Sequence, residues 1–133
     1  MPKRILIIDD EKLITMTLKR LLTKEGYHVT PALSGKAAIK QIEQSDFDMI
    51  IADIKMPEMD GIETVKKIRE ILTASGRKLI PEIFITGYAS DENFQEAQRL
   101  NVVDYVEKPF DIKSLMQAVE KASKIQQPIE SRP

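Results

Sequence analysis

The chain has 133 residues and a mass of 15.1 kDa, which suits one compact domain and is too short for two substantial cores. Its hydrophobic fraction of 42% and formal charge of −1 exclude an intrinsically disordered protein and disfavour a dedicated nucleic-acid binder. The absence of cysteine excludes disulfides, thiolate metal sites and cysteine nucleophiles. Because the sequence has neither a membrane-length apolar run nor the apolar core of a signal peptide, we expect a soluble, cytoplasmic protein.

Short β-rich segments alternate with helical segments, which is typical of a parallel sheet with helices on both faces. The predicted strands are residues 4–9, 27–32, 49–52, 83–85 and 102–106. The first, third and fourth are almost entirely apolar, as strands buried on both faces are. Pro31 cannot donate a hydrogen bond within a sheet, so the second strand is expected to lie at an edge or to end there.

Apolar residues between the strands recur with the period of a helix. The predicted stripes are Leu13, Ile14, Leu18, Leu21 and Leu22; Ala38, Ile39 and Ile42; Ile62, Val65, Ile68 and Leu72; and Leu115, Val119 and Ala122. Gly26 is placed to end the first helix, Asp60 with Glu63 to begin the third, Ser90 to begin a helix at 91–100, and Asp111 to begin the last. We therefore predict a (βα)₅ domain at 1–125, followed by a frayed end or linker at 126–133.

Acidic residues are predicted to meet at one end of this sheet. Asp9 and Asp10 end the first strand and precede Glu11, while Asp53 ends the third strand. Ligands of open parallel sheets bind outside the carboxyl ends of the strands, and the first and third strands should be central neighbours. In the alternative interpretation, Asp9, Asp10 and Glu11 only cap the following helix. Asp53 at the equivalent end of the neighbouring strand disfavours that alternative.

Convergent carboxylates need a compensating cation. Two unit charges about 5 Å apart repel by about 3 kcal/mol at an effective dielectric constant of roughly 20. Oxygen ligands without histidine or cysteine favour Mg²⁺ over zinc. We therefore expect an Mg²⁺ site, with Mn²⁺ as an alternative ion.

Two more polar residues follow strand ends. Thr86 ends the fourth strand, and Lys108 follows the fifth and precedes Pro109, which disfavours a helical conformation at Lys108. Alone, each residue is ordinary, one favoured in strands and the other in solvated loops. Together with the acidic residues, they predict a site that binds a phosphoryl group beside a metal ion.

The sequence resembles the receiver domain of two-component response regulators over residues 3–124. The matching segments are Ile-Leu-Ile-Ile-Asp-Asp-Glu at 5–11, Asp-Ile-Lys-Met-Pro-Glu-Met-Asp-Gly at 53–61, Ile-Thr-Gly-Tyr-Ala at 85–89 and Val-Glu-Lys-Pro-Phe at 106–110. They occur in the order and spacing of that family. The resemblance implies a doubly wound, flavodoxin-like α/β fold with strand order 2-1-3-4-5.

The resemblance also implies a phosphoacceptor. Asp53 would accept a phosphoryl group from a histidine kinase or a histidine phosphotransfer protein, and no separate enzyme activity is expected. Asp10 would bind Mg²⁺ directly and Asp9 largely through water. Asp53 and the backbone carbonyl of Lys55 would complete the protein ligands.

A signalling switch is implied as well. Lys108 would pair with the phosphoryl oxygens, and Thr86 would donate a hydrogen bond to one of them. Movement of Thr86 with rotation of Tyr105 would change the helix 4–strand 5–helix 5 face for a downstream protein, an attached output domain or a second copy. In the alternative interpretation, Tyr105 only packs at a sheet edge. Tyr88 and Lys55 occupy variable positions of the family, so the phosphoryl lifetime does not follow from the resemblance.

Two other functions fit part of this pattern. A phosphatase of the haloacid dehalogenase type also has a nucleophilic aspartate after a strand, but its motif is Asp-x-Asp at the first strand, where this chain has Asp9 and Asp10. A receiver that only binds partners is disfavoured by the presence of Asp53, Thr86 and Lys108 with those two acids. No membrane or direct nucleic-acid partner is expected, and the chain is expected to be a stand-alone receiver or the first domain of a longer regulator.

Overall fold

The computed structural model describes residues 2–87 and 92–125, where five strands alternate with five helices. The strands are β1 (Arg4–Ile8), β2 (His28–Ala32), β3 (Met49–Asp53), β4 (Glu82–Thr86) and β5 (Asp104–Glu107). The helices are α1 (Lys12–Lys24), α2 (Gly35–Gln44), α3 (Gly61–Ala74), α4 (Glu92–Arg99) and α5 (Ile112–Ser123). None of these helices is long and apolar enough to cross a membrane. The tail expected at 126–133 lies outside the described residues.

The five strands form one parallel sheet in the order β2-β1-β3-β4-β5, which confirms the predicted fold and strand order. β2 lies at an edge, as the proline in its sequence predicts, and Pro31 pairs with Ile7 of β1. The amide of His28 donates a hydrogen bond to the carbonyl oxygen of Lys3 at 2.9 Å. Alternate residues of β2 therefore turn their backbone groups towards β1, and Pro31 turns its nitrogen towards the open edge.

Both faces of the sheet are covered by helices. α2, α3 and α4 pack on one face, and α1 and α5 pack on the other. Every residue of β3 and β4 is buried, which explains the continuous apolar runs in their sequences. The first core includes Leu6, Ile50, Phe84, Ile62 and Val65, and the second includes Ile5, Ile51, Ile83, Leu18 and Leu115.

One predicted core residue is misplaced. Leu13 was expected in the buried stripe of α1, but the structure leaves it 75% exposed, so that prediction is wrong. Leu18 and Leu22 lie on the buried face of the same helix. At 3.6 residues per turn, position 13 lies about 140° around the helix from position 18, far from that face. β5 also starts two residues later than expected, although Val102 is buried just before it.

The helix ends follow the predicted capping residues where the structure describes them. Asp60 begins α3 by accepting a hydrogen bond of 2.8 Å from the amide of Glu63, and Asp111 begins α5 in the same manner. Gly26 follows the end of α1 with a φ of +93°, a conformation that glycine adopts at little cost. Ser90, expected to cap α4, lies outside the described residues.

α3 begins in close contact with the end of β3. The Gly61 amide donates a hydrogen bond of 2.8 Å to the carbonyl oxygen of Ile54. A Cβ atom on Gly61 would lie only 2.1 Å from the carbonyl oxygen of Asp53, closer than any real contact. The missing side chain therefore lets α3 start against the strand and fixes the loop that follows Asp53.

We predict that Gly61→Ala lowers the free energy of unfolding by about 2–4 kcal/mol, because the added methyl group overlaps backbone atoms that have no room to move. Urea denaturation followed by circular dichroism would measure the change. Gly87→Ala is the matched control, since a Cβ atom there meets nothing within 4 Å. Equal denaturation midpoints for Gly61→Ala and the unmodified protein would contradict the packing argument.

Candidate functional site

The carboxyl ends of β1 and β3 bring three aspartates together. Asp9 and Asp10 follow β1, and Asp53 is the last residue of β3. One carboxylate oxygen from each residue lies within 4.8 Å of the others. Asp9 is 0% exposed and Asp53 is 5% exposed, whereas Asp10 is open to solvent. The predicted convergence of the three residues is therefore present, and it follows from the hydrogen-bonded pairing of β1 with β3.

Lys108 reaches the same cluster from the segment after β5. Its backbone amide donates a hydrogen bond of 2.8 Å to the carbonyl oxygen of Thr86, which anchors the residue beside β4. Its Nζ lies 3.3 Å from Oδ2 of Asp9, 3.3 Å from Oδ2 of Asp53 and 3.4 Å from Oε1 of Glu11. One ammonium group therefore faces three carboxylates.

Burial and mutual repulsion change the protonation of this cluster. Burial, with a contribution from the charge of Asp9, raises the pKa of Asp53 to about 6, although Lys108 and the backbone amide of Lys55 favour the ionised form. Burial alone would lower the pKa of Lys108, but the charges of Asp53 and Asp9 outweigh it and raise that pKa. The ammonium group therefore stays protonated at neutral pH, and it compensates the carboxylates only in part.

Asp9 has an oxygen with spare coordination capacity. Its Oδ1 accepts a hydrogen bond of 2.9 Å from the amide of Glu11. Its Oδ2 is buried and lacks a well-formed hydrogen bond from the described residues, although Nζ of Lys108 lies 3.3 Å away as an ion-pair partner. Burial accordingly raises the pKa of Asp9. A buried oxygen of this kind, beside two more carboxylates, fits a hard divalent cation such as Mg²⁺ or Mn²⁺.

The remaining predicted residues surround an open cleft. A cavity of about 790 Å³ opens to solvent between Asp10, Asp53, Lys55 and Lys108, so a phosphate-sized group has access to the Asp53 carboxylate. Thr86 is 4% exposed at the end of β4, one residue beyond the position that pairs with Asp53. All the predicted site residues of β1, β3, β4 and the following loops thus lie at one end of the sheet.

Tyr105 is packed beneath α4. Its ring lies beside Phe84 of β4 at a centroid distance of 6.3 Å, and Phe94 of α4 meets it edge-on at 4.9 Å. Its hydroxyl group donates a hydrogen bond of 3.2 Å to the carbonyl oxygen of Ala97, and burial raises its pKa. Thr86 and Phe84 are two residues apart on one strand and project from the same face. The Phe84, Tyr105 and Phe94 rings therefore connect α4 to the face of β4 on which Thr86 lies.

Two contacts of the site were not predicted from the sequence. The sequence suggests only a capping role for Glu11, but its side chain makes no capping hydrogen bond and instead approaches Lys108. Phe94 lies in a mostly polar helix, where its packing against Tyr105 has no local sequence signal. The first contact joins residues 97 positions apart, so no local spacing could have indicated it.

Comparisons with known proteins identify the family. The profile of the response regulator receiver domain family matches residues 5–120. The transcriptional regulatory protein ZraR of Escherichia coli K12 is 38% identical over 118 residues, which are 89% of this chain and 26% of ZraR. The transcriptional regulatory protein PdtaR of Mycobacterium tuberculosis H37Rv is 33% identical over 122 residues, which are 91% of this chain and 57% of PdtaR. The chain thus spans only part of the length of these relatives.

The fold comparison gives the same result. The solved structure of the chemotaxis protein CheY4 of Vibrio cholerae matches with a TM-score of 0.82 and 30% sequence identity. That match covers 92% of this chain and 99% of CheY4. Taken with the profile match over most of the sequence, it shows that the chain belongs to the response regulator receiver domain family of two-component signalling.

Proposed function

We propose that this receiver domain is a phosphoacceptor and that Asp53 carries the phosphoryl group. The observation that supports this proposal best is the 3.3 Å contact between Oδ2 of Asp53 and Nζ of Lys108 at the open cleft. In this proposal, an entering phosphoryl group would meet the carboxylate nucleophile and the ammonium cation together. A pKa of about 6 leaves the Asp53 carboxylate mostly ionised at neutral pH, so no general base is required.

The proposed reaction is transfer from a phosphohistidine. A carboxylate oxygen of Asp53 attacks the phosphorus atom, the phosphorus–nitrogen bond breaks, and the imidazole nitrogen keeps the bonding electron pair. The product is an acyl phosphate on Asp53. Lys108 would neutralise charge on the phosphoryl oxygens, and Thr86 would donate a hydrogen bond to one of them. Positioning and charge neutralisation are the main requirements of phosphoryl transfer.

We infer that Asp9, Asp10, Asp53 and the backbone carbonyl of Lys55 hold Mg²⁺, with Mn²⁺ as an alternative ion. The buried Oδ2 of Asp9 and the three clustered carboxylates support this assignment. When bound, the ion supplies positive charge beside the phosphoryl oxygens. Following the family pattern, Asp10 would bind it directly and Asp9 largely through water.

The proposed partners follow from the family. A histidine kinase or a histidine phosphotransfer protein would donate the phosphoryl group, and the domain would catalyse only its own phosphorylation and dephosphorylation. ZraR and PdtaR are longer transcriptional regulators. The output here would accordingly be a downstream protein or an attached domain, with residues 126–133 as a tail or linker after the domain at 1–125. We place these events in the cytoplasm.

The proposed output surface is formed by α4, β5 and α5. Support comes from the packing of Tyr105 between Phe84 and Phe94, because this packing links the end of β4 to α4. A shift of Thr86 towards a phosphoryl group would disturb the Phe84–Tyr105 contact. The resulting change would reach a partner protein or a second copy through the exposed side of α4 and α5.

We predict that acetyl phosphate with Mg²⁺ labels Asp53 and that Asp53→Asn is not labelled, because the variant lacks the nucleophilic oxygen anion. Mass spectrometry of the intact protein and its peptides would locate the acyl phosphate. Chelation of Mg²⁺ should also abolish the labelling. Asp46→Asn is the matched control, since Asp46 is exposed before β3 at the opposite end of the sheet, and it should label normally. Full labelling of Asp53→Asn would overturn the proposed acceptor.

We predict that the metal-free protein loses stability as the pH rises from about 4 to 7. The folded-state pKa of Asp53 is about 6 and its ordinary value is 3.8, so in this range the folded protein holds a proton that the unfolded chain releases. Asp53→Asn should therefore raise the free energy of unfolding at pH 7.5 by about 1–3 kcal/mol, with little gain near pH 4. Urea denaturation across this pH range would measure the difference. Asp10→Asn should raise the free energy of unfolding by a smaller amount, because Asp10 is exposed. If Asp53→Asn were no more stable than the unmodified protein at pH 7.5, the prediction would be contradicted.

We predict that Thr86→Ala still accepts a phosphoryl group but loses most of the distant response. Beryllofluoride with Mg²⁺ should shift the amide NMR signals of Tyr105, Ala97 and the α4–β5–α5 face in the unmodified protein. A hydroxyl contact of this type supplies a coupling energy of about 1–3 kcal/mol, enough to set the population of the active state. Thr73→Ala, at an exposed position of α3, should respond like the unmodified protein. Distant shifts of full size in Thr86→Ala would exclude this route.

A further inference from the structure

Glu11 has a side-chain contact that its place in the fold does not require. It is the residue before α1, in an extended conformation, and its carboxylate makes no hydrogen bond to the first turn of the helix. Glutamate is also outside the group of residues preferred at this position, which are serine, threonine, aspartate and asparagine. The carboxylate instead lies with Oε1 3.4 Å from Nζ of Lys108. Capping therefore does not explain the residue.

Because of this contact, the Lys108 ammonium group is shared by three carboxylates. Lys108 is 3.3 Å from Asp9 and 3.3 Å from Asp53, so Glu11 attracts it at nearly the same distance as the buried carboxylates. The Lys108 side chain is 20% exposed and the Glu11 side chain is 60% exposed, which places Glu11 on the solvent side of the group. Glu11 therefore attracts the ammonium group towards solvent, in opposition to the attraction of the buried pair.

We propose that Glu11 is a positioning residue that holds Lys108 at the rim of the cleft and thereby sets the relative affinity of the site for a divalent cation and for a phosphoryl group. This inference rests on the proposed function of Asp53. With Glu11 present, the ammonium group competes less with a cation for Asp9 and Asp53. The same attraction opposes the approach of Lys108 to an anion on Asp53, and the charge of Glu11 also repels that anion.

Neutralising Glu11 should therefore change the two affinities in opposite directions. In Glu11→Gln, Mg²⁺ in the absence of phosphate should bind roughly two- to fivefold more weakly, and beryllofluoride at saturating Mg²⁺ should bind roughly two- to fivefold more tightly. These factors are the size expected for a partly exposed ion pair. If the substitution only loosened the loop and had no effect on Lys108, the affinity for both ligands would fall. Affinity changes of opposite sign therefore distinguish a positioning role from a structural one.

The experiment is a pair of titrations followed by amide NMR, with the Lys108 side-chain signals observed directly in the metal-free protein. Glu11→Gln should shift those signals, while Glu25→Gln, which removes an exposed carboxylate from the other end of α1, should change neither signals nor affinities. In a Lys108→Met background, the effect of Glu11→Gln on Mg²⁺ affinity should fall by more than half. This background separates an effect through Lys108 from a general effect of charge.

Unchanged affinities in Glu11→Gln, changes of the same sign for both ligands, or an equal effect in the Lys108→Met background would overturn the assigned role. These results would leave the proposed function intact as long as the unmodified protein binds Mg²⁺ and beryllofluoride. An unmodified protein that binds neither would instead overturn the function proposed for Asp53. The two failures are thus distinguishable.

Discussion

The site depends on a single constraint, which is that one ammonium group faces more negative charge than it can neutralise. Lys108 lies within 3.4 Å of Asp9, Asp53 and Glu11, and Asp10 adds a further carboxylate to the cluster. The remaining negative charge attracts a divalent cation and repels a phosphoryl anion. We therefore expect the cation to bind before the phosphoryl group, because a bound cation offsets the net negative charge that repels the anion.

The end of β4 contacts both the charged cluster and the packing beneath the proposed output surface. The carbonyl oxygen of Thr86 accepts the hydrogen bond that holds the backbone of Lys108, and two residues earlier Phe84 packs against Tyr105. Gly61 gives a comparable connection on β3, because α3 starts against the backbone of Asp53. The strand ends that bear the charged residues thus also pack against helices. Because the interior is closely packed, a small movement of these strand ends would also move the helices packed against them.

Regular features of the fold were predictable from the sequence because they repeat along it. Apolar runs marked the strands, and strand ends marked the positions of Asp9, Asp53 and Thr86. The order of the strands came from a family resemblance, because local pattern does not determine which strands pair. Leu13 was misassigned since a stripe of apolar letters does not show which side of a helix meets the sheet. The contact of Glu11 with Lys108 was beyond prediction because it is made by flexible side chains far apart in the chain.

The open edge of β2 has a consequence for self-association. Pro31 turns its nitrogen outward, where it offers no donor, and within this strand only Val29 has an amide on that side. A neighbouring molecule therefore cannot form a continuous ladder of hydrogen bonds along this edge, which opposes growth of the sheet from one copy into the next. Proline at this position therefore hinders the addition of a strand from another molecule at this edge, so contact between two copies at β2 would have to rely on side chains and not on a shared ladder of backbone hydrogen bonds.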